Sequence, residues 1–160
     1  AGPHQGPPQG AVVALVEARS GSRRVTSASL LTLSVDQLRT AGVSQRKAEY
    51  MLDLAAKVDQ GEVQLATIGR LSNESVIGKL ILVRGIGRWT AEMFLMFSLG
   101  RLDVFPVDDL GVRNAMLHLY DMDPSASHSD FRSIAELWQP YASIASWYCW
   151  RSLETESPTD

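Results

Sequence analysis

The chain has 160 residues, of which 45% are hydrophobic and 21% charged, enough for one globular domain with a real core. No apolar run reaches the ~18 residues of a membrane span, and no charged-then-apolar leader opens the chain. The single Cys149 excludes an intrachain disulfide framework and any four-cysteine metal or iron–sulfur site, and points to a reducing, intracellular compartment.

The net charge of −3 rules out a generally basic coat for nucleic acid, but its distribution is uneven. Residues from Tyr120 onward carry a net −5 and residues 1–119 a net +2. Arg46, Lys47, Lys79, Arg84 and Arg88 lie beside two turns, at Gly42 and Gly85. A basic spot there suits a phosphate backbone; an ordinary solvated charged surface is the alternative.

In chain order, AGPHQGPPQG at residues 1–10 is too polar and Pro/Gly-rich to bury much and reads as a disordered tail. Ala11–Ala18 makes two helical turns, and GSRRVTS after it is a polar loop. Ser34 and Gln37 have capping-box spacing, so a short helix runs to about Ala41 and stops at Gly42. Ser44 caps the next helix, where Ala48, Met51, Leu52, Ala55 and Val58 form a buried stripe before Gly61 ends it. A short helical turn follows within Leu65–Leu71, and a helix runs from Ser72 to Val83.

From Arg88 to Leu99 apolar residues leave almost no polar face, which describes a helix enclosed by others. Asp108 or Asp109 opens a helix ending near Tyr120, and Ser127 and Asp130 repeat the capping spacing before a helix to Trp138. Pro140 suits the first turn of a last helix through Leu153, with 154–160 a polar tail. No run keeps a strand period, so the chain is all-α, with the domain spanning 11–153.

Chemistry concentrates between Leu80 and Met116. Gly85 and Gly87 flank Ile86 between two helices, where glycine permits positive φ and close approach of a partner. The turn amides and the first amides of the following helix lack intrahelical acceptors and can bind an anion, with Arg84 and Arg88 adding charge. A phosphate of nucleic acid is the natural candidate. Asp108 and Asp109 stand a short way downstream, and on residue type alone both are equally well read as helix caps.

LVRGIGRWTAEMF and DVFPVDDLGVR together resemble the helix-hairpin-helix (HhH-GPD) DNA glycosylase superfamily, with its hairpin and following aspartate. AGVSQRKAEYMLDLA and WQPYASIASWYCWRSL look like its 3-methyladenine, alkylated-base branch, so the resemblance covers about 33–153. It implies a monofunctional base excision repair hydrolase acting on alkylated purines such as 3-methyladenine and 7-methylguanine in double-stranded DNA. The bond is inaccessible in a stacked duplex, so the nucleotide is flipped out.

In that family the acting aspartate has a β-branched apolar residue three positions on and a basic residue next. Asp109 fits through Val112 and Arg113, and Asp108 falls on a variable neighbour. The resemblance therefore makes Asp109 catalytic, stabilising positive charge on the sugar or orienting water. It makes Arg84, Gly85, Ile86, Gly87, Arg88 and Thr90 the DNA-binding hairpin, and Trp89 and Trp150 walls of a base pocket, where core packing is the alternative. Trp89 stands where strand-cutting relatives carry a Schiff-base lysine.

Tyr141, Trp147 and Tyr148 read as core, Met93, Met96 and Met116 as packing, His118 as a helix-surface or core residue, and Cys149 as an inert thiol. The resemblance calls for no cofactor or side-chain metal site, allowing only a monovalent cation on hairpin carbonyls. It implies an intracellular protein, nuclear in a eukaryote and cytoplasmic in a bacterium.

Relatives carry, before the Leu33 position, helices bearing a Gln-Gln-apolar-Ser turn that fills the gap left by the flipped base. Nothing in residues 1–34 matches it. The fold expected is therefore N-terminally incomplete, with part of the apolar faces on 44–58 and 88–99 lacking a partner. A non-catalytic DNA-binding module or inactive truncated paralogue is the second reading.

Overall fold

The computed structural model describes residues 10–155, and most of the two expected tails lies outside them. Helix is the only regular secondary structure among the described residues. They divide into two compact units, one up to Ile86 and one from Gly87, so the boundary falls inside the glycine hairpin.

The first unit opens with α1 (Ala11–Ser20), α2 (Ser27–Leu31), α3 (Val35–Thr40) and α4 (Gln45–Asp59). Gly10, placed in a tail by sequence, instead stands at the head of α1, its carbonyl accepting the Ala14 N–H at 2.8 Å. The polar loop ends where Thr26 caps α2, with Ser29 returning the bond to the Thr26 N–H at 2.8 Å. That helix is a finding of the structure, since two serines and a threonine in seven residues mask its single apolar pair, Leu30 and Leu31. α3 keeps the expected capping box between Ser34 and Gln37, and Gly42 turns the chain out of it at φ 81°.

Val16, Leu33, Leu38, Val43 and Ala48 form one buried cluster, with Met51 and Leu52 of α4 packed against it. Part of the apolar face of α4 is thus covered by residues of α1 to α3. A remainder stays open as a groove of about 380 Å³ lined by Val12, Val43, Tyr50, Met51, Leu54 and Ile86, with Lys47 and Gly85 at it. After a 3₁₀ turn at Ile68–Arg70, α5 (Asn73–Leu80) ends three residues earlier than the spacing predicts. Val76, Ile77, Leu80 and Val83 are buried, whereas Ile81 and Leu82 are exposed.

The second unit comprises α6 (Arg88–Phe97), α7 (Leu110–Leu119), α8 (His128–Ala135) and α9 (Ala142–Thr155). Val107, Val112, Ala115, Met116, Phe131 and Cys149 make its core, with Phe105, Trp138 and Trp150 packed against it. The extended passage before α7 is stitched to the start of α9. The Ser143 hydroxyl donates to the Arg101 carbonyl at 2.7 Å and accepts the Val104 N–H at 2.9 Å, and the Ser143 N–H donates to the Leu102 carbonyl. Arg113 then reaches back from α7 to the Val107 carbonyl at 2.8 Å. These bonds fix the approach to Asp109.

α6 is not enclosed as its sequence suggests. Ala91, Leu95 and Met96 are buried, but Phe97 is 65% exposed and Trp89 45%, while Glu92 is buried. The near-continuous apolar sequence hid one buried carboxylate, paired with Arg88 one turn earlier at 3.1 Å. Tyr141, Trp147 and Tyr148 are likewise exposed rather than core, because α9 faces its unit through Ala142, Ser146 and Cys149. Small side chains of α9 point inward while Trp147 and Tyr148 point outward, and of its large aromatic residues Trp150 packs against the core.

Candidate functional site

Two constructions carry the candidate residues. At the hairpin, Gly85 has φ 82°, a conformation that an L side chain rarely adopts. A Cβ there would also stand 2.1 Å from the Tyr50 ring. Glycine is therefore required twice over, by the backbone and by the neighbour.

α4 grips the turn on the same side. The Arg84 N–H donates to Asp53 Oδ2 at 2.8 Å, and the Arg84 guanidinium lies 3.9 Å from Glu49. Glu49, Tyr50 and Asp53 are three and four residues apart, so they share one face of α4. Sequence reasoning had assigned this helix only a buried stripe, although the Glu-Tyr-x-x-Asp spacing on its other face was visible.

Gly87 differs from Gly85. Its φ is −91°, and a Cβ would meet nothing within 4 Å. It is the N-cap of α6, and no side chain caps that end of the helix. Trp89 and Thr90 follow in the exposed first turn. The two arginines flanking the hairpin both have carboxylate partners, Glu49 for Arg84 and Glu92 for Arg88. The basic spot inferred from sequence is thus less positive than its residue list suggests.

The second construction is Asp109. It caps α7, accepting the Val112 N–H on Oδ1 at 2.9 Å. Trp150 of α9 donates its indole N–H to the same oxygen at 2.9 Å, and Trp89 of α6 donates its own to Oδ2 at 2.8 Å. The residue is 9% exposed. Burial alone would push the carboxyl up. The N–H groups of Trp150, Val112, Trp89 and Gly111 outweigh it and hold the group below its ordinary value of 3.8. Asp109 is a buried carboxylate kept ionised by neutral donors, without a cation in hydrogen-bond contact among those bonds.

Asp108 has none of this. Its side chain is half exposed and forms a surface pair with His128 at 3.6 Å. The cap-only reading fits Asp108 no better, since the capping bond belongs to Asp109. Trp89 and Trp150, which sequence left between pocket and core, are both partly accessible with their N–H groups on the carboxylate. Phe97 stacks on Trp150 with centroids 5.9 Å apart.

Gly111 went unnoticed in the sequence. It stands beside both Asp109 and Trp150, and an aspartate followed two residues later by glycine at a helix start was the available signal. Cys149 is buried, its thiol pushed up to about 11 by desolvation, which makes it a poor nucleophile. No group of three or more His, Cys, Asp or Glu among the described residues could hold a metal ion, and no helix among them is long and apolar enough to cross a membrane.

The chain is 34% identical over 128 residues to DNA-3-methyladenine glycosylase 1 of Schizosaccharomyces pombe, a match covering 79% of this chain and 56% of that protein. A solved 3-methyladenine DNA glycosylase of the same yeast, in complex with abasic DNA, superposes with a TM-score of 0.74 at 30% identity, covering 94% of this chain and 74% of that one. The DNA-3-methyladenine glycosidase of Bacillus halodurans gives 0.75 at 32% identity, covering 92% and 76%. The chain spans about half the length of the curated relatives it matches. The family model for HhH-GPD superfamily base excision DNA repair proteins matches residues 11–140, reaching back through α1 and well ahead of Leu33. With the hairpin, the capping aspartate and an all-helical fold in place, the chain belongs to the HhH-GPD superfamily of base excision DNA repair proteins.

Proposed function

We propose that this protein is a monofunctional DNA glycosylase that hydrolyses the N-glycosidic bond of alkylated purines flipped out of duplex DNA. The observation that carries the reading is the Asp109 carboxylate, 9% exposed yet held ionised by an indole N–H on each oxygen. As the base leaves, positive charge develops on the deoxyribose. An ionised carboxylate already fixed in place stabilises that charge, or orients the attacking water, without reorganising during the step. A cationic base such as 3-methyladenine or 7-methylguanine leaves readily, so no strong general acid is demanded. The nearby aromatic groups, Trp89, Trp150 and the exposed Phe97, supply faces for an electron-poor ring.

Trp89 offers no amine for a Schiff base, which supports release of the base with the strand left intact. The hairpin's role would be to take phosphates on the uncapped N-terminus of α6, with Arg84, Gly85, Ile86, Gly87, Arg88 and Thr90 along the contact. Carbonyl oxygens of the turn are the hard donors a monovalent cation takes, and the Val83 carbonyl, which accepts the Ile86 N–H at 3.1 Å, keeps a lone pair for one. Such an ion would add positive charge facing a phosphate. The setting for this activity is intracellular, nuclear in a eukaryote and cytoplasmic in a bacterium. The domain that carries it would run over 11–153.

The test is product analysis on duplexes carrying 3-methyladenine, 7-methylguanine or other damaged or mismatched bases. The expected result is free alkylpurine and a strand that breaks only after alkali. Salt-dependent binding without release from any duplex at stoichiometric protein would overturn the reading in favour of a DNA-binding module. Release restricted to a non-alkylated lesion would move the substrate class.

A further inference from the structure

Gly111 is the second residue of α7, and its φ lies outside the left-handed region. Nothing in the backbone asks for glycine, and helix propensity favours almost any other residue there. The reason for it lies in its surroundings. A Cβ at this position would stand 3.2 Å from Asp109 Oδ1, 3.2 Å from Trp150 Cδ1 and 3.4 Å from Trp150 Nε1. It would press on the contact where the Trp150 N–H meets Oδ1 at 2.9 Å.

We propose that Gly111 is a positioning residue for Asp109: its missing Cβ leaves the space in which the Trp150 indole and the Asp109 carboxylate come within hydrogen-bonding distance. The proposal rests on the glycosylase reading for its catalytic consequence, though its geometry stands without it. The Asp109 side chain is held at both oxygens, Oδ1 by Val112 and Trp150 and Oδ2 by Trp89. Two of those donors are fixed by α7 itself and by α6. Trp150 comes from α9, so its approach depends on how closely α9 can lie against the first turn of α7. A methyl group at 111 requires α9, the indole or the carboxylate to give by a few tenths of an ångström.

The charged groups around this point have partners of their own. Asp108 pairs with His128 of α8, Arg113 with the Val107 carbonyl, Arg88 with Glu92 on α6, and Arg151 with Glu154 on α9. The direct hold on Asp109 is therefore made by neutral N–H donors, and displacing one changes the carboxylate without removing a charge.

Gly111→Ala tests this with readouts that a merely structural role would not move together. The expected variant keeps the wild-type Tm and duplex Kd, because alanine suits the helix and the residue lies outside the hairpin. Its Trp150 indole N–H resonance moves toward that of a free indole, and the acid titration midpoint reported by both indole N–H signals rises. Single-turnover base release falls roughly tenfold, as a displacement of tenths of an ångström in a reacting group would give. Trp150→Phe, which keeps a ring but removes the donor, produces a similar fall, and the double variant falls no further.

Unchanged indole signals and unchanged release in Gly111→Ala would overturn the proposal, as would fully additive losses in the double variant. If wild-type protein releases no base at all, the glycosylase reading fails separately. The indole titration then still decides the role of Gly111, a shifted midpoint supporting it and an unshifted one overturning it.

Discussion

At Gly85 the protein grips a stretch of backbone with side chains, whereas at Asp109 it grips one side chain with backbone and indole N–H groups. In the first unit, Tyr50 closes on the glycine while Asp53 takes the Arg84 N–H and Glu49 faces the Arg84 guanidinium. In the second, donors from α6, α7 and α9 converge on two oxygens. On the proposed function, the difference matches what each would have to present. A turn that meets a phosphate must expose its own amides, so its support comes from behind. A carboxylate that meets developing positive charge must stay ionised in a dry place, so its support consists of donors that add no competing cation.

The contrast is sharpest between the two glycines of the hairpin. Gly85→Ala combines a left-handed φ with a Cβ 2.1 Å from an aromatic ring, and should cost about 3 kcal/mol of stability in urea unfolding. Gly87→Ala adds a methyl to open space at an ordinary φ and should cost less than about 1 kcal/mol. Adding Tyr50→Ala to the first variant removes the steric part and leaves the backbone part. Equal costs for the two glycines would break the claim that α4 grips only one of them.

At the acid, the prediction concerns pH. The folded-state value of Asp109 lies below 3.8, with the opposed causes of burial and N–H donation already weighed. A depressed carboxyl adds stability that is fully present above its unfolded value and is lost as pH falls through the folded one. The acid limb of base release should accordingly have its midpoint below 3.8 in the wild type. In Trp150→Phe, with one donor removed, the midpoint should rise and release should weaken at neutral pH, both read from a pH series of single-turnover rates. A midpoint unmoved in that variant would mean that the indole only packs.

The smallest effect is expected at Arg84. Its guanidinium is exposed and faces Glu49 at 3.9 Å, so Arg84→Ala should change stability by less than about 0.5 kcal/mol. Through the lost phosphate contact it should lower the salt dependence of duplex binding by about one unit of slope. An unchanged slope would confine the hairpin's contribution to its backbone.

How much of this was legible in sequence follows from range. The capping boxes at Ser34 and Ser127 and the turns at Gly42 and Gly85 rest on spacings of a few residues, and all were readable. What escaped depends on residues distant in sequence. Tyr50 and Gly85 are matched only once α4 lies behind the hairpin, and Gly111 matters only because Trp150 arrives from α9. α9 misled in the other direction: Trp147 and Tyr148 suggested core, but they are exposed and the helix buries Ala142, Ser146 and Cys149. The polar composition around residues 21–29 hid α2, whereas α1 was readable in Ala11–Ala18, where Val16 is wholly enclosed.

The most direct test of the central claim is Asp109→Asn assayed for single-turnover release of 7-methylguanine from duplex DNA, with duplex binding measured on the same preparation. The asparagine retains the cap and the shape but not the charge. If the carboxylate carries the chemistry, release falls by at least about a hundredfold while Kd stays within a few-fold of wild type. Equal release from the two proteins would contradict the account and remove Asp109 from the mechanism.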